Sequence, residues 1–457
     1  MVFTIYMTVE NEGLYQAMKA YVSAALEMLV KRIPSKTPPG DETERFLIYW
    51  TSDDYLKELP EYHTTVRLLS ECSPIIGQLD TVVGTHRRRT RMLPLARLMK
   101  RIVKLGMLGN SLLFDSKHFD RGYLAFEEFF YNVSSVTVEA VAPLHGLEFS
   151  ENKTLSLSNN VEVSLLTRDE EKKYGYITET ESMEYEREER PFYTPTYAVR
   201  IRYDLPKIIG DERNLDIEEM DKETEHISQV NKEVWDIVNA LMLFKSGYIH
   251  CPGIKHRSSE WLFNEFKTFP NRSMAGDYPS LYLADEEEME EFRKFWCKLR
   301  NKRVMDWKAL DVAVRRFAYA CERHRSEDKV IDLLIAAEAL FLAEIGNEKY
   351  RGELSYRLAF RAGFLLGATP TKRKEVYLHL RKAYQIRSEI VHGAISLSLP
   401  KGKDGGQISL EQFVRTTEQC LRLAIHRFID AALEPDKMTE LLKWDDRIFH
   451  VEESSDD

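Results

Sequence analysis

The sequence predicts an α+β N-terminal module followed by an all-α helical bundle. Segments of strand length, either alternating or continuously apolar, occur only in the first 300 residues. From about residue 286 onward, helical patterns follow one another with short connections and no strand-like segment between them. We therefore divide the chain into an N-terminal module (1–301), a helical bundle (302–446) and an acidic tail (447–457).

The N-terminal module is predicted to mix two helices with several strands. "LYQAMKAYVSAALEMLVKRI" (14–33) and "VNKEVWDIVNALMLFKSG" (230–247) have helical apolar spacing, and the second helix is expected to end at Gly247. The predicted strands are 45–50, 136–143, 153–158, 161–167 and 196–203. An Asn-rich turn joins the third strand to the fourth. Charged stretches at 168–192 and 205–226 are interpreted as solvated loops or exposed helix faces. We interpret this module as one for sensing or recognition.

Helices account for the whole C-terminal part of the chain in this interpretation. The predicted helices are 286–301, 307–324, 326–345, 353–367, 372–392 and 410–434. The segment 328–346, which covers most of the third helix and ends one residue beyond it, is apolar nearly all round, and such a helix belongs at the centre of a bundle.

Charge is distributed unevenly along the chain. The net charge is −10, from 74 acidic and 64 basic residues, and this argues against a general nucleic-acid coat protein. The segment "HRRRTRMLPLARLMKRIVK" (86–104) nevertheless carries eight Lys or Arg and no acidic residue. Its candidate RNA contacts are Arg87, Arg88, Arg89 and Arg91. The alternatives are an acidic protein partner or simply a solvated face.

Cysteine usage and hydropathy predict a cytoplasmic protein. The five cysteines are widely spaced and form no CxxC pair, which disfavours a disulfide framework and fits a reducing compartment. We expect no signal peptide, because "MVFTIYMTVENEG" has no basic region before its short apolar run. We expect no membrane span, because no stretch of about 18 apolar residues occurs. His250, Cys251 and His256 are of metal-ligand type, but no second ligand pair follows them at zinc-site spacing. We therefore expect neither a metal nor a cofactor.

Glu338 is the most unusual residue of the central helix, because it interrupts the apolar run "LLIAAEALFL". A buried carboxylate is costly unless a partner faces it, so the sequence predicts a cation opposite Glu338. Arg357 and Arg361 share one face of the next helix, and Arg387 falls on the apolar stripe of the helix after that. A pair that only fixes the register of the helices is the structural alternative.

His392 follows Arg387 by five residues and directly precedes Gly393. In a regular helix this spacing is a rotation of about 140° and a rise of about 7.5 Å, so the two side chains do not share a face. Gly393 is expected to end the helix, and His392 would then lie at the mouth of the bundle. Spacing alone leaves a solvated helix-end histidine as an open alternative.

The segment "RSEIVHG" fits the R-x4-6-H signature of HEPN domains, a superfamily of helical bundles that includes many ribonucleases. In order along the chain, "DKVIDLLIAAEALFL", "ELSYRLAFRAGFLLG" and "AYQIRSEIVHG" resemble the ApeA-type HEPN domains of prokaryotic defence proteins. Three ordered helices with matching neighbours are a more specific signal than the short motif. The resemblance covers about 326–393 and extends more weakly over 140–175.

This resemblance implies that Arg387, His392 and Glu338 are catalytic residues, with Glu338 matching a carboxylate on an earlier helix of this branch of the family. Ser388 holds a position that is often Asn, Asp or His in the family, which is a mild departure. We group Arg357, Arg361 and Ser388 as supporting residues. The implied activity is metal-independent endoribonuclease cleavage by a homodimer, in abortive-infection defence against phage. The expected partners are RNA (tRNA, mRNA or rRNA) and a phage-derived activator, with no membrane. The alternative is a non-catalytic HEPN module for RNA binding or dimerisation.

The residue types suit that chemistry. A base of near-neutral pKa is needed to activate a 2′-hydroxyl, and histidine supplies one. A fixed guanidinium stabilises the negative charge that accumulates in the transition state. Two copies of the motif would supply one base and one acid. The reaction leaves a 2′,3′-cyclic phosphate and requires RNA rather than DNA.

Overall fold

The fold is taken from a computed structural model, which describes the greater part of the chain. The described residues are 9–32, 56–72, 81–84, 95–107, 112–132, 134–149, 153–167, 170, 196–206, 208–211, 217–247, 249–257, 266–268, 282–343, 354–402, 405–434, 436–437, 441 and 444. The predicted strand at 45–50, the acidic tail at 447–457 and the arginines Arg87, Arg88, Arg89 and Arg91 lie outside them.

Helices predominate over strands in these residues. The helices are α1 (Glu12–Arg32), α2 (Pro60–Cys72), α3 (Leu95–Lys104), α4 (Ser116–Glu127), α5 (Ile217–Phe244), α6 (Glu286–Leu299), α7 (Lys302–Met305), α8 (Lys308–Glu322), α9 (Ser326–Phe341), α10 (Leu354–Leu366), α11 (Pro370–Val391) and α12 (Leu410–Ala432). The strands are β1 (Thr81–Gly84), β2 (Ser135–Leu144), β3 (Leu147–Phe149), β4 (Leu155–Ser158), β5 (Val161–Leu165), β6 (Tyr197–Pro206), β7 (Ile208–Asp211), β8 (Ile254–Arg257), β9 (Phe266–Thr268) and β10 (Tyr282–Ala284). The predicted mixture of α and β structure is confirmed.

The largest sheet has the strand order β4-β5-β6-β2-β8-β9. Strands β4, β5 and β6 pair antiparallel in sequence, with Val161 opposite Ile201 and Leu165 opposite Tyr197. The predicted strands at 136–143, 153–158, 161–167 and 196–203 are confirmed as β2, β4, β5 and β6. Two smaller pairs complete the strands: β1 is antiparallel to β7, and β3 is parallel to β10.

The helices between residues 60 and 127 have no counterpart in the sequence prediction. In α2 to α4, residues such as Leu69, Ile102 and Phe119 are fully buried and pack with α1 in one core. Helix α5 also begins at Ile217 rather than at 230, so part of the charged stretch at 205–226 is helical. Charged residues concealed these helices because the amphipathic pattern of each covers only a few turns.

By contacts, the chain divides into two compact units. The first comprises Met1–Ala140, Arg202–Val230 and Lys255–Lys267, and the second comprises Val141–Ile201, Asn231–Ile254 and Thr268–Asp457. The predicted boundary at 301/302 falls between α6 and α7, inside the second unit. The assignment of recognition to residues 1–301 and of catalysis to residues 302–446 stays a prediction.

Helices α8 to α12 form a bundle around α9 in the second unit. Helix α9 contacts α8, α10, α11 and α12, and its residues Val330, Leu333, Leu334, Leu340 and Phe341 are all fully buried. The central position predicted for the segment 328–346 is therefore confirmed. The predicted helix 286–301 is shorter than expected, because α6 ends at Leu299 and the single turn of α7 follows.

Asp332 is a buried carboxylate on α9 that the sequence prediction missed. Its side chain is 3% exposed and accepts hydrogen bonds from Arg316 Nη1 at 2.9 Å and Arg323 Nε at 2.8 Å. Arg316 lies on α8 and Arg323 directly follows that helix. The carboxylate is thus paired with two cations, as burial of a charge requires.

His379 on α11 makes the stability of the bundle sensitive to acid. Its Nε2 lies 2.9 Å from Thr417 Oγ1, its ring packs on Phe413, and burial lowers its pKa to about 4. Because this pKa lies below the unfolded value of about 6.5, the stabilisation is complete above pH 6.5. It is lost as the pH falls toward 4, by up to about 3 kcal/mol. Burial also lowers the pKa of His426, which adds to the loss.

Urea unfolding of the whole chain between pH 4.5 and pH 7 measures this effect. The variant His379→Gln is expected to lose much of the pH dependence, because Gln does not titrate. Part of the slope that remains should come from His426, whose Nε2 lies 3.0 Å from the Leu243 carbonyl oxygen. An unchanged slope in His379→Gln would contradict the assignment.

Candidate functional site

An ion pair joins the central helix α9 to α11. Nη1 of Arg387 donates to Oε1 of Glu338 at 2.8 Å, and the two side chains are 26% and 28% exposed. On α11, Arg387 follows the buried residues Ala383 and Ile386, and this helix packs on both α10 and α9. The predicted cation opposite Glu338 is therefore confirmed and is Arg387. The pair is half-buried rather than fully buried, so solvent still reaches it.

Tyr384 lies beside this pair, one helical turn before Arg387. The guanidinium carbon of Arg387 is 5.6 Å from the centroid of the Tyr384 ring. Burial raises the pKa of the Tyr384 hydroxyl, and the charge of Glu338 raises it further while Arg387 lowers it. Nε of Arg387 is buried and has no hydrogen-bond acceptor in the described chain. Tyr384 was not predicted as part of the site, although its i, i+3 spacing to Arg387 was a usable signal.

The end of α11 fixes the backbone of His392. Gly393 has φ +70°, and its N–H donates to the Ile390 carbonyl at 3.0 Å. The N–H of Ala394 donates to the Glu389 carbonyl at 2.9 Å. These two bonds make a Schellman motif, which requires the left-handed backbone that glycine adopts easily. The prediction that Gly393 ends the helix is confirmed, and His392 is the exposed C-cap residue.

Glu389, between the two motif residues, holds the segment that follows the helix. Its Oε2 accepts the backbone N–H of Ser398 at 2.8 Å, and that bond is the main cause of its lowered pKa. Gln385 donates to its other oxygen at 2.7 Å. No role was predicted for Glu389. Its hydrogen bond with Ser398 joins residues nine positions apart across a loop, and no periodic pattern in the sequence reveals such a contact.

The three predicted supporting residues have different environments. Ser388 is exposed, and its carbonyl accepts the N–H of His392 at 3.0 Å. Arg357 is half-buried on α10. Arg361 is buried, and its Nη1 donates to the last carbonyl of α9, that of Phe341, at 2.6 Å. The guanidinium of Arg361 also packs on the Trp444 ring, so Arg361 links α10 to the end of α9 and to Trp444.

The arrangement offers an anion-binding group and a proton-transfer group at one end of α11. The guanidinium of Arg387 is held by Glu338 and Tyr384, and the imidazole of His392 is exposed beyond it. By helix geometry the two positions are about 7.5 Å apart along the axis and splayed by about 140°. The residues can therefore serve phosphodiester chemistry, but a single helix does not aim both at one atom.

The other predicted sites carry no such arrangement. His256 is fully buried with Nδ1 2.8 Å from the Tyr203 hydroxyl, while the ring of His250 stacks on His145. Within the described residues, no group of three or more His, Cys, Asp or Glu side chains could hold a metal ion. The helices described here include none long and apolar enough to cross a membrane.

Comparison with protein-family models, with curated proteins and with solved structures finds no significant match to this chain.

Proposed function

We propose that the protein is a metal-independent endoribonuclease of the HEPN type, with Arg387 and His392 as catalytic residues. The observation that carries the proposal is the half-buried Glu338–Arg387 pair beside an exposed histidine whose backbone is fixed by a Schellman motif. A helix end built only for stability needs neither an arginine on its inner stripe nor a histidine at the cap. The pattern of "RSEIVHG" and its flanking helices supports the same assignment.

In the proposed reaction, neutral His392 of one subunit takes the proton from an RNA 2′-hydroxyl. The 2′-oxygen attacks the adjacent phosphorus and forms a new P–O bond. Arg387 stabilises the charge of the phosphorane-like transition state. Protonated His392 of a second subunit gives a proton to the departing 5′-oxygen as its P–O bond breaks. The products are a 2′,3′-cyclic phosphate and a 5′-hydroxyl.

Two copies of the chain are required in this proposal because of the splay between Arg387 and His392. A homodimer with the α11 ends facing each other would bring both motifs to one phosphate. From the resemblance, we propose prokaryotic anti-phage defence in the cytoplasm as the setting, with abortive infection set off by a phage-derived activator. The RNA target would be tRNA, mRNA or rRNA.

The test is cleavage of a single-stranded RNA by the whole chain in the presence of a chelator, with and without phage lysate. We expect products that end in 2′,3′-cyclic phosphate. A matched oligonucleotide with one 2′-deoxy residue should resist cleavage at that residue only. Cleavage of the 2′-deoxy position, or 3′-hydroxyl products, would exclude the proposed mechanism.

A second candidate is a non-catalytic module that binds RNA or dimerises. One observation favours it: Glu338 already satisfies Arg387, so the pair can act solely as a link between α9 and α11. This candidate predicts RNA binding without turnover under every activating condition. Cleavage that depends on His392 excludes it.

A further inference from the structure

Tyr384 on α11 is an uncharged residue that interacts with both members of the Glu338–Arg387 pair. The guanidinium carbon of Arg387 lies 5.6 Å from the centroid of the Tyr384 ring. The hydroxyl interacts with the carboxylate of Glu338 and with the guanidinium of Arg387. All three side chains are half-buried. Tyr384 can therefore stabilise either charge of the pair when the other charge moves away.

The bond between Glu338 and Arg387 is open to exchange with another anion. Nη1 of Arg387 donates to Oε1 of Glu338 at 2.8 Å, while its Nε has no acceptor in the part of the chain that the structure describes. The two side chains are 26% and 28% exposed, so an anion from solution reaches the pair. A phosphate offers the planar guanidinium two acceptors side by side, which is a stronger arrangement than one hydrogen bond. An RNA phosphate is therefore able to draw Arg387 away from Glu338.

Such an exchange leaves the Glu338 carboxylate without its cation. Glu338 extends from an apolar helix, in which its neighbours Ala337 and Leu340 are fully buried. A partly buried carboxylate that loses its partner is costly unless another donor replaces it. The phenol of Tyr384 carries one O–H donor beside this carboxylate, and a hydrogen bond to a charged acceptor is among the stronger ones in proteins.

We propose that Tyr384 is a positioning residue, whose hydroxyl holds the Glu338 carboxylate while Arg387 binds an RNA phosphate. The Tyr384 ring keeps the guanidinium close to its face through a cation–π contact during this exchange. The inference rests on the proposed function, because it requires that Arg387 meets an RNA phosphate. Tyr384 itself touches neither the RNA nor the reacting atoms, and it acts through Glu338 and Arg387.

A double-mutant cycle on Tyr384 and Glu338 tests this role. Fluorescence anisotropy measures the affinity of the whole chain for a labelled single-stranded RNA with 2′-fluoro groups, which lacks the 2′-hydroxyl that the proposed cleavage needs. Tyr384→Phe keeps the ring and should weaken binding about tenfold, the contribution of one hydrogen bond to a charged group. In a Glu338→Gln background the same replacement should weaken binding less than about twofold, because no carboxylate charge is left to hold.

Tyr377→Phe is the matched control on the same helix. The Tyr377 hydroxyl accepts a hydrogen bond from Nη1 of the exposed Arg381 at 3.1 Å, so this variant also removes a hydroxyl that contacts an arginine. It should bind RNA as the wild type does. Equal losses from Tyr384→Phe in the Glu338 and Gln backgrounds would show that the tyrosine acts through packing alone. That result, or wild-type affinity in Tyr384→Phe, overturns the proposal.

Failure of the proposed ribonuclease gives a different result from failure of this inference. A chain that shows the expected cycle but never cleaves unmodified RNA refutes the ribonuclease and retains the exchange at Arg387. Wild-type affinity in Arg387→Gln shows that this arginine meets no phosphate, and it overturns the role of Tyr384 even where cleavage is found. Absence of RNA binding by the wild type overturns both.

Discussion

Replacing His392 with alanine is expected to slow RNA cleavage by about 10²- to 10⁴-fold, the usual contribution of a general acid or base. In the proposed dimer the loss should lie near the upper end, because His392 serves as base in one subunit and as acid in the other. The rate of single-turnover cleavage with activator measures it. The fold should be unaffected, because the side chain is exposed and the backbone bonds of the helix end remain.

Matched variants on the same helix distinguish chemistry from packing. The double variant Glu338→Gln with Arg387→Gln keeps two side chains that can hydrogen-bond across α9 and α11, yet removes the guanidinium. It should fold normally and cleave poorly. Arg381→Ala removes an exposed arginine whose Nη1 contacts the Tyr377 hydroxyl, and it should cleave normally. Normal cleavage by both His392→Ala and the double-Gln variant would contradict the assigned site.

Replacing Arg316 and Arg323 together with alanine is expected to destabilise the second unit by about 3 kcal/mol. Each arginine is 40–49% exposed, so either single replacement should cost less than about 1 kcal/mol after solvent screening. The double replacement differs because it leaves Asp332, at 3% exposure, buried without a cation. The urea midpoint of the whole chain measures each loss.

The stability losses of the two single arginine variants should not add up to that of the double variant, because both arginines pair with the same buried Asp332. Adding Asp332→Asn to the double variant should recover part of the stability, because the uncompensated charge disappears. Arg315→Ala, which breaks the neighbouring exposed pair with Asp311, should change stability by less than about 0.5 kcal/mol. Simple addition of the two single losses would show that the buried carboxylate is not the cause.

The helices of the bundle were predictable because their buried faces require apolar residues at helical spacing along the sequence. Helix α9 is apolar on nearly every face, and α8 and α12 have one apolar stripe each, so their bounds agree with the pattern within a few residues. The helices α2 and α3 were not predicted, although α3 has a regular apolar stripe at Leu98, Met99, Ile102 and Val103; that stripe lies within a basic segment that was interpreted only for its charge. Their helicity depends on packing against α1, which no local pattern records.

The residues of the candidate site were predictable only where a charged residue interrupted the apolar stripe of its helix. Glu338 and Arg387 each broke an apolar stripe, which made Arg387 a candidate partner of Glu338 beside Arg357 and Arg361, and the structure selects Arg387. Asp332 breaks the same helix six residues earlier, but Arg316 and Arg323 lie on no conspicuous face. Glu389 and Ser398 meet through a loop whose course depends on the fold. Long-range partners of that kind require coordinates.

If the proposed function holds, the Glu338–Arg387 pair has a consequence for the salt dependence of RNA binding. Cations that bind phosphate release the counterions condensed on the nucleic acid, and binding then weakens steeply with salt. Arg387 carries its anion within the chain, so an RNA phosphate that binds it displaces Glu338, and the freed carboxylate attracts a cation from solution that offsets the one released by the RNA. This arginine should therefore add little to the salt dependence of RNA binding, and stray polyanions should gain little from contacting it.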